Sequence, residues 1–207
     1  MNIYTIDGNI GCGKTSVLEY LHKNYRIPID LEPVEKWQPY LEDMYYRGKG
    51  TFEFQIRVWL DRCWIQSYTH TTHMIMERSP LFQRDVFVPV NVESGRLTDR
   101  QYDNILEMYN RSMSTWTPKG YIYIRSDPEK CAERIKKRAR NSEEAIADIY
   151  LKRLHALHEQ TYHTALANGC RVIVVDMENK TVPEIAAAVV EALKVMGWEG
   201  RGISPNA

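Results

Sequence analysis

Residues 8 to 15 read Gly8-Asn9-Ile10-Gly11-Cys12-Gly13-Lys14-Thr15, a complete G-x-x-x-x-G-K-[ST] loop that directly follows the apolar run Ile3-Tyr4-Thr5-Ile6. Between a strand and a helix this spacing has a chemical use. The glycines let the backbone curl so that its N–H groups face phosphate oxygens. The helix starting near Lys14 adds the positive end of its dipole. Lys14 sets a point charge against the β- and γ-phosphates, and Thr15 offers a hydroxyl to Mg²⁺. A glycine-rich turn that binds nothing would need neither the strand before it nor the helical pattern Val17, Leu18, Leu21 after it. The loop therefore predicts a nucleoside triphosphate site and leaves open where the phosphoryl group goes.

Three further segments bear on that question. Glu32 ends the second expected strand and is followed by Pro33, which fixes the direction of the chain. In an open parallel sheet, strand C-termini line the ligand crevice, where a carboxylate can accept a proton from an attacking hydroxyl. A third strand, His73-Met74-Ile75-Met76, runs into Glu77-Arg78-Ser79. An acid in that place commonly holds Mg²⁺ directly or through water, and the planar fork of an arginine suits transferred phosphate. The segment from Arg134 to Arg140 also contains Lys136, Lys137 and Arg138. Such a run is usually a solvated helix face. Arg134 and Arg138 lie one turn apart, however, and could close over the triphosphate as a lid.

The aromatic stripe of the expected helix 51–71 (Phe52, Phe54, Trp59) reads first as core. Gln55 and Arg62 are less readily explained that way, because a buried glutamine needs partners at both ends of its amide, and a nucleobase edge supplies such a pair.

Strands at Ile3–Ile6, Ile27–Leu31, His73–Met76, Tyr121–Ile124 and Arg171–Val175 alternate with helices at 14–24, 36–47, 51–71, 98–115, 128–139, 144–167 and 181–196. This alternation predicts an α/β fold with a parallel sheet covered on both faces. Asp127 and Thr181 are good N-caps, with Pro128 and Pro183 just inside the helices that follow. A single domain is expected over 1–197, with a lid at about 134–144 and a frayed tail from 198 to 207.

The 207 residues carry 27 Lys plus Arg against 27 Asp plus Glu, so the formal net charge is zero. That balance argues against a nucleic-acid partner. The four cysteines show no CxxC spacing, so neither a zinc site nor a disulfide framework is expected. With no room for a leader before the loop and no stretch of membrane-spanning length, a cytoplasmic protein with no membrane partner is the expectation.

Together these segments resemble the deoxynucleoside kinase family, the group of deoxycytidine, deoxyguanosine and mitochondrial-type thymidine kinases. The resemblance runs from Ile3 to about Ile185. It rests on the loop 8–15, Glu32-Pro33-Val34 followed by Trp37, Phe54-Gln55, Glu77-Arg78-Ser79, and Arg138-Ala139-Arg140-Asn141. It implies a P-loop kinase fold with a five-stranded parallel sheet, helices on both faces and an Arg-rich lid. It also implies transfer of the γ-phosphoryl group of ATP, with Mg²⁺, to the 5′-hydroxyl of a deoxynucleoside. A homodimer through helices 51–71 and 98–115 follows from the same resemblance.

By resemblance, Glu32 takes the 5′-hydroxyl proton, Arg78 holds that carboxylate and contacts the phosphates, and Glu77 lies near Mg²⁺. Arg134, Arg138 and Arg140 match the lid arginines. Tyr45 and Glu143 match the grip on the sugar 3′-hydroxyl. Gln55 matches the reader of the base, with Trp37, Phe54 and Phe87 around the ring and Leu41 and Val58 in the same substrate-binding set. The segment Asp176 to Lys180, with Met177 and Glu178, matches the loop against the donor's adenine.

Two positions mix the specificity signals. Arg62 is as in the deoxycytidine/purine branch, but its usual carboxylate partner is replaced by neutral Gln83, whereas Val58 is as in the thymidine branch. The expectation is a pyrimidine substrate, thymidine slightly ahead of deoxycytidine, with purines poor. The nearest rival, a thymidylate kinase, usually has Arg before its Glu-Pro and Asp-Arg after its third strand; here Leu31 and Glu77-Arg78 stand in those places. A guanine-reading switch would need an Asp that does not follow Asn179-Lys180.

Overall fold

The computed structural model describes residues 2–63, 72–140, 143 and 146–200. Five strands form one parallel sheet: β1 (Asn2–Gly8), β2 (Ile29–Asp30), β3 (His73–Glu77), β4 (Gly120–Arg125) and β5 (Val172–Asp176), in the order β2-β3-β1-β4-β5. The register sets Ile6 beside Glu77, Asp30 beside Met76 and Gly8 beside Ile124.

Because strand side chains alternate between faces, β4 supplies both cores. Ile122 and Ile124 pack on one side with helices α1 (Lys14–Tyr25) and α9 (Val182–Val195), through Val17, Leu21, Ile185 and Val189. Tyr121 and Tyr123 pack on the other side with Phe82, Phe87, Leu154 and Leu157, the last two from α8 (Asp148–Ala167). Coverage of both faces is why the strands read as continuous apolar runs.

The remaining helices are α2 (Val34–Tyr46), α3 (Thr51–Cys63), α4 (Pro80–Phe82), α5 (Val88–Glu93), α6 (Asp99–Thr115) and α7 (Pro128–Arg138), with a π-helical turn, Gln83–Phe87, joining α4 to α5. Asp127 caps α7 by accepting from the Glu129 N–H, and Thr181 and Glu184 form a reciprocal capping box on α9.

The expectations need three corrections, and one expected helix lies partly outside the described residues. The second strand is only Ile29–Asp30, so Ile27 and Leu31 lie outside it and Glu32 stands in the loop before α2 rather than at a strand end. The helix expected over 51–71 runs from Thr51 to Cys63, and 64–71 lie outside the described residues. The helical stretch 80–93 was not expected. Its two prolines and its wide turn break the 3.6-residue period. Packing also continues past 197: Trp198 is buried against Tyr4 and His73. Residues 201–207 lie outside the described residues.

Candidate active site

The loop after β1 curls as its glycines allow. Gly11 has φ +76°, and a Cβ there would meet the Cys131 carbonyl at 2.6 Å. Gly13, at φ +95°, starts α1. Asn9 ties the loop to α8 by donating to the Leu151 carbonyl (2.9 Å), while its Oδ1 accepts from Ile10 N–H (2.8 Å). Cys12 is fully buried beneath the loop. Lys14 folds back over it, Nζ donating to the Gly8 and Asn9 carbonyls at 3.2 and 3.0 Å. The Thr15 hydroxyl donates to Glu77 Oε1 (2.9 Å).

The end of β3 turns sharply. Arg78 has φ +69°, an uncommon conformation for a residue with a Cβ. Asp7, fully buried, stabilises the turn by accepting from Ser79 N–H (2.8 Å) and the Thr5 hydroxyl (3.0 Å). Arg78 forms an ion pair with Glu32. Its guanidinium lies 4.1 Å over the Phe87 ring and donates to the Gly8 carbonyl at 3.5 Å. Burial raises the Glu32 pKa, but the charges of Arg78 and Lys14 outweigh that and hold it below the usual glutamate range. Glu77 goes the other way, pushed up by burial and then by the Glu32 charge beside it. The two carboxylates thus divide into an ionised acceptor of protons and a neighbour whose charge needs a cation.

Above this floor lies a cleft. Trp37, Leu41 and Tyr45 enter from α2, and Phe54, Gln55 and Val58 from α3. Gln83 and Phe87 come from the π-turn, and Arg138, Arg140 and Glu143 from the lid segment. Gln83 Nε2 donates to Gln55 Oε1 (3.1 Å). Arg138 donates to Glu143 (3.0 Å) and Arg140 lies 3.5 Å from the same carboxylate. Asn141, Ser142 and Glu144 of the expected lid lie outside the described residues.

Several expected site residues stand elsewhere. Arg62 does not line the cleft; it pairs with Asp30 (3.1 Å) and donates to the Glu77 carbonyl. It therefore has a carboxylate partner, on β2 rather than at position 83, and the argument that it lacks one fails. Arg134 turns away to donate to the Ser126 hydroxyl (2.9 Å). Asp176, expected with Glu178 at the donor's adenine rather than in the cleft, faces Arg125 at 3.7 Å. Met177, in contrast, abuts the phosphate loop, its methyl 3.1 Å from where a Cβ on Gly13 would sit.

Met44, Asn91 and Tyr150 line the cleft without having been singled out from the sequence. Asn91 lies in the helical stretch that periodicity missed. Tyr150 comes from α8, and its oxygen, after burial, pushes the Tyr45 hydroxyl well above its ordinary pKa.

A model of the deoxynucleoside kinase family matches residues 4–195. The chain belongs to the deoxynucleoside kinase family. This kinase is 29% identical over 194 residues to protein 029R of Invertebrate iridescent virus 3, covering 92% of this chain and 95% of that one. It is 27% identical over 169 residues to human mitochondrial thymidine kinase 2, covering 77% of this chain and 63% of that one. Among solved structures it is similar to a deoxyadenosine kinase from M. mycoides with products dCMP and dCDP bound: TM-score 0.80, 26% identity, 94% of this chain and 99% of that one. The five-stranded parallel P-loop kinase fold read from the sequence is the fold of this kinase. The thymidylate kinase alternative finds no support in these comparisons.

Proposed function

We propose that this kinase transfers the γ-phosphoryl group of ATP to the 5′-hydroxyl of a pyrimidine deoxynucleoside, giving the 5′-monophosphate for nucleotide salvage. The observation that carries the reading is the buried Glu32–Arg78 ion pair beside Lys14 and the Thr15–Glu77 contact at the floor of the cleft. Glu32 accepts the 5′-hydroxyl proton as the oxygen bonds to the γ-phosphorus and the bond to the bridging β-oxygen breaks. Arg78 holds the carboxylate ionised and faces the phosphoryl oxygens. Lys14 and the loop N–H groups take the β- and γ-phosphates, and Arg138 and Arg140 add charge from the lid. Tyr45 and Glu143 hold the sugar, and Trp37, Phe54 and Phe87 the ring.

Mg²⁺ suits the donor set: a hydroxyl and a carboxylate, Thr15 and Glu77, are hard oxygens already 2.9 Å apart. An ion of this kind takes its other ligands from phosphates and water, so few protein oxygens suffice. It would neutralise charge developing between the β- and γ-phosphates.

Pyrimidine preference is supported by Val58, whose branched side chain narrows the cleft, and by the Gln55–Gln83 amide pair at its wall. A homodimer through α3 and α6 is proposed with it, from the family resemblance. The free cysteines support a reducing, cytoplasmic setting. A coupled assay with ATP and Mg²⁺ against the four deoxynucleosides and thymidylate tests the activity. Faster turnover of thymidylate than of any nucleoside would overturn it.

A further inference from the structure

Gln83, Phe87 and Asn91 follow one another at four-residue intervals through the π-turn and α5, and all three line the cleft. The amides of Gln83 and Gln55 are joined to each other (3.1 Å). Turning both end for end preserves their bond, so this pair can present either polarity to a base. Asn91 has no such freedom. It is 1% exposed, and its Nδ2 donates to the Phe87 carbonyl at 2.8 Å. Reversing that amide would set two buried oxygens against each other. Its Oδ1 is therefore an acceptor by construction, and it is buried with no partner. A buried acceptor left unmade carries its full desolvation cost until a donor arrives.

The bases differ in how many N–H groups they can supply. Thymine has one, on its ring imide, and the glutamine pair takes it. The cytosine amine has two, one for the glutamine pair and one to spare. Resting on the deoxynucleoside kinase reading above, we infer that Asn91 is a specificity-determining residue whose fixed Oδ1 accepts an N–H from the exocyclic amine of the base, so that deoxycytidine is selected over thymidine. Its place on the same helix face as Gln83 and Phe87 sets it beside the base wall, whereas the proposed sugar contacts Tyr45 and Glu143 come from α2 and the lid. Adenine carries the same amine, and the narrowing at Val58 acts against its larger ring.

The test is kcat/KM for deoxycytidine, thymidine and the pyrimidinone deoxynucleoside lacking the 4-amino group, on the wild type, Asn91→Leu and Asn91→Asp. The wild type is expected to favour deoxycytidine over both other nucleosides by ~10–100-fold, the range set by the desolvation cost of one buried neutral acceptor left unsatisfied. Asn91→Leu, of similar size, should remove most of that ratio by slowing deoxycytidine far more than thymidine. Asn91→Asp, whose protonated carboxyl can donate to Phe87 and still accept, should keep the ratio. The pyrimidinone comparison tests the 4-amino group, which the glutamine pair shares. Asn91→Asp, which keeps the Phe87 contact, therefore carries the test of position 91 if the leucine variant does not fold, and a lost ratio in that variant would overturn the inference. A wild-type preference for thymidine, or an equal loss of both substrates in Asn91→Leu, would overturn the inference while leaving the kinase reading in place. Absence of phosphorylation of every deoxynucleoside would overturn the kinase reading itself.

Discussion

Replacing Arg78 with alanine should destabilise the folded protein most at neutral pH and least in acid. The side chains of Arg78 and Glu32 are 6% and 13% exposed. Removing one partner of a buried pair costs about 3–5 kcal/mol, because the other charge is left uncompensated. The guanidinium also stacks on Phe87 at 4.1 Å, a contact worth about 0.5–2 kcal/mol. The partial exposure of Glu32 places the total near ~3–5 kcal/mol, or roughly 6–20 °C in Tm at ~2–4 °C per kcal/mol for a chain of this size.

The pH dependence follows from Glu32. In the wild type its folded pKa is depressed below the ordinary 4.5, so its stabilising contribution is present above 4.5 and lost as pH falls through the folded value. Without Arg78, burial, the largest influence on this group, acts with less opposition and raises that pKa. The deficit of the variant is then full at neutral pH and shrinks as Glu32 takes up a proton. Urea unfolding from pH 7.5 down to 4.5 measures this directly. In a Glu32→Gln background the same Arg78→Ala change should cost only about 1–2 kcal/mol, a coupling of about 2–3 kcal/mol. Additive effects, or a deficit that does not vary with pH, would refute the reasoning.

Glu32→Gln should lower turnover by about 10²–10⁴-fold while ATP still raises the Tm; an unchanged turnover number in a folded variant would exclude Glu32 as the base. Glu77→Gln should make the ligand-free protein about 1 kcal/mol more stable at pH 7.5, since burial and Glu32 raise the Glu77 pKa and disfavour its charge in the fold. By linkage that gain should vanish as pH falls below the ordinary 4.5, and Mg²⁺-dependent turnover should be lost; a less stable variant at neutral pH would count against it. Gly11→Ala sets a Cβ 2.6 Å from the Cys131 carbonyl at φ +76°, so it should abolish the Tm increase given by ATP and cost at least ~2 kcal/mol; retained ATP binding would show that the loop can shift away from α7.

The phosphate loop and its helix were legible because each residue in them answers to a local requirement. The sheet was legible because both of its faces are covered, leaving near-continuous apolar strands such as Val172–Val175. What could not be read depends on residues distant in sequence or on irregular backbone. The partner of Arg62 is Asp30, on a two-residue strand, and no local pattern links them. The stretch 80–93 carries prolines at 80 and 89 and a π-turn, so Asn91, which lines the cleft four residues after Phe87, sits on a backbone whose period is not 3.6. Arg134 and Arg138 are one turn apart on α7, yet one reaches Ser126 and the other Glu143, a difference set by the packing around the helix.

Strand order explains how residues 8, 32 and 77 meet. β3 lies between β2 and β1, and neighbouring strands are about 4.8 Å apart, so the chain leaving β3 has the loop after β2 on one side and the phosphate loop on the other. Glu77 uses both sides, accepting from Thr15 Oγ1 (2.9 Å) and from Glu32 N–H (3.3 Å). In a regular strand the next residue would point to the opposite face, away from both. The left-handed backbone at Arg78 re-aims it into the cleft, at about 1–3 kcal/mol of local strain. Three interactions offset that strain: Arg78 N–H to the Ile6 carbonyl (2.9 Å), Ser79 N–H to Asp7, and the ion pair to Glu32. Only the third is also chemistry. Removing Glu32 therefore weakens the restraint on Arg78 as well as the proton acceptor, whereas Glu32→Gln, which can still accept from the guanidinium, separates the two roles.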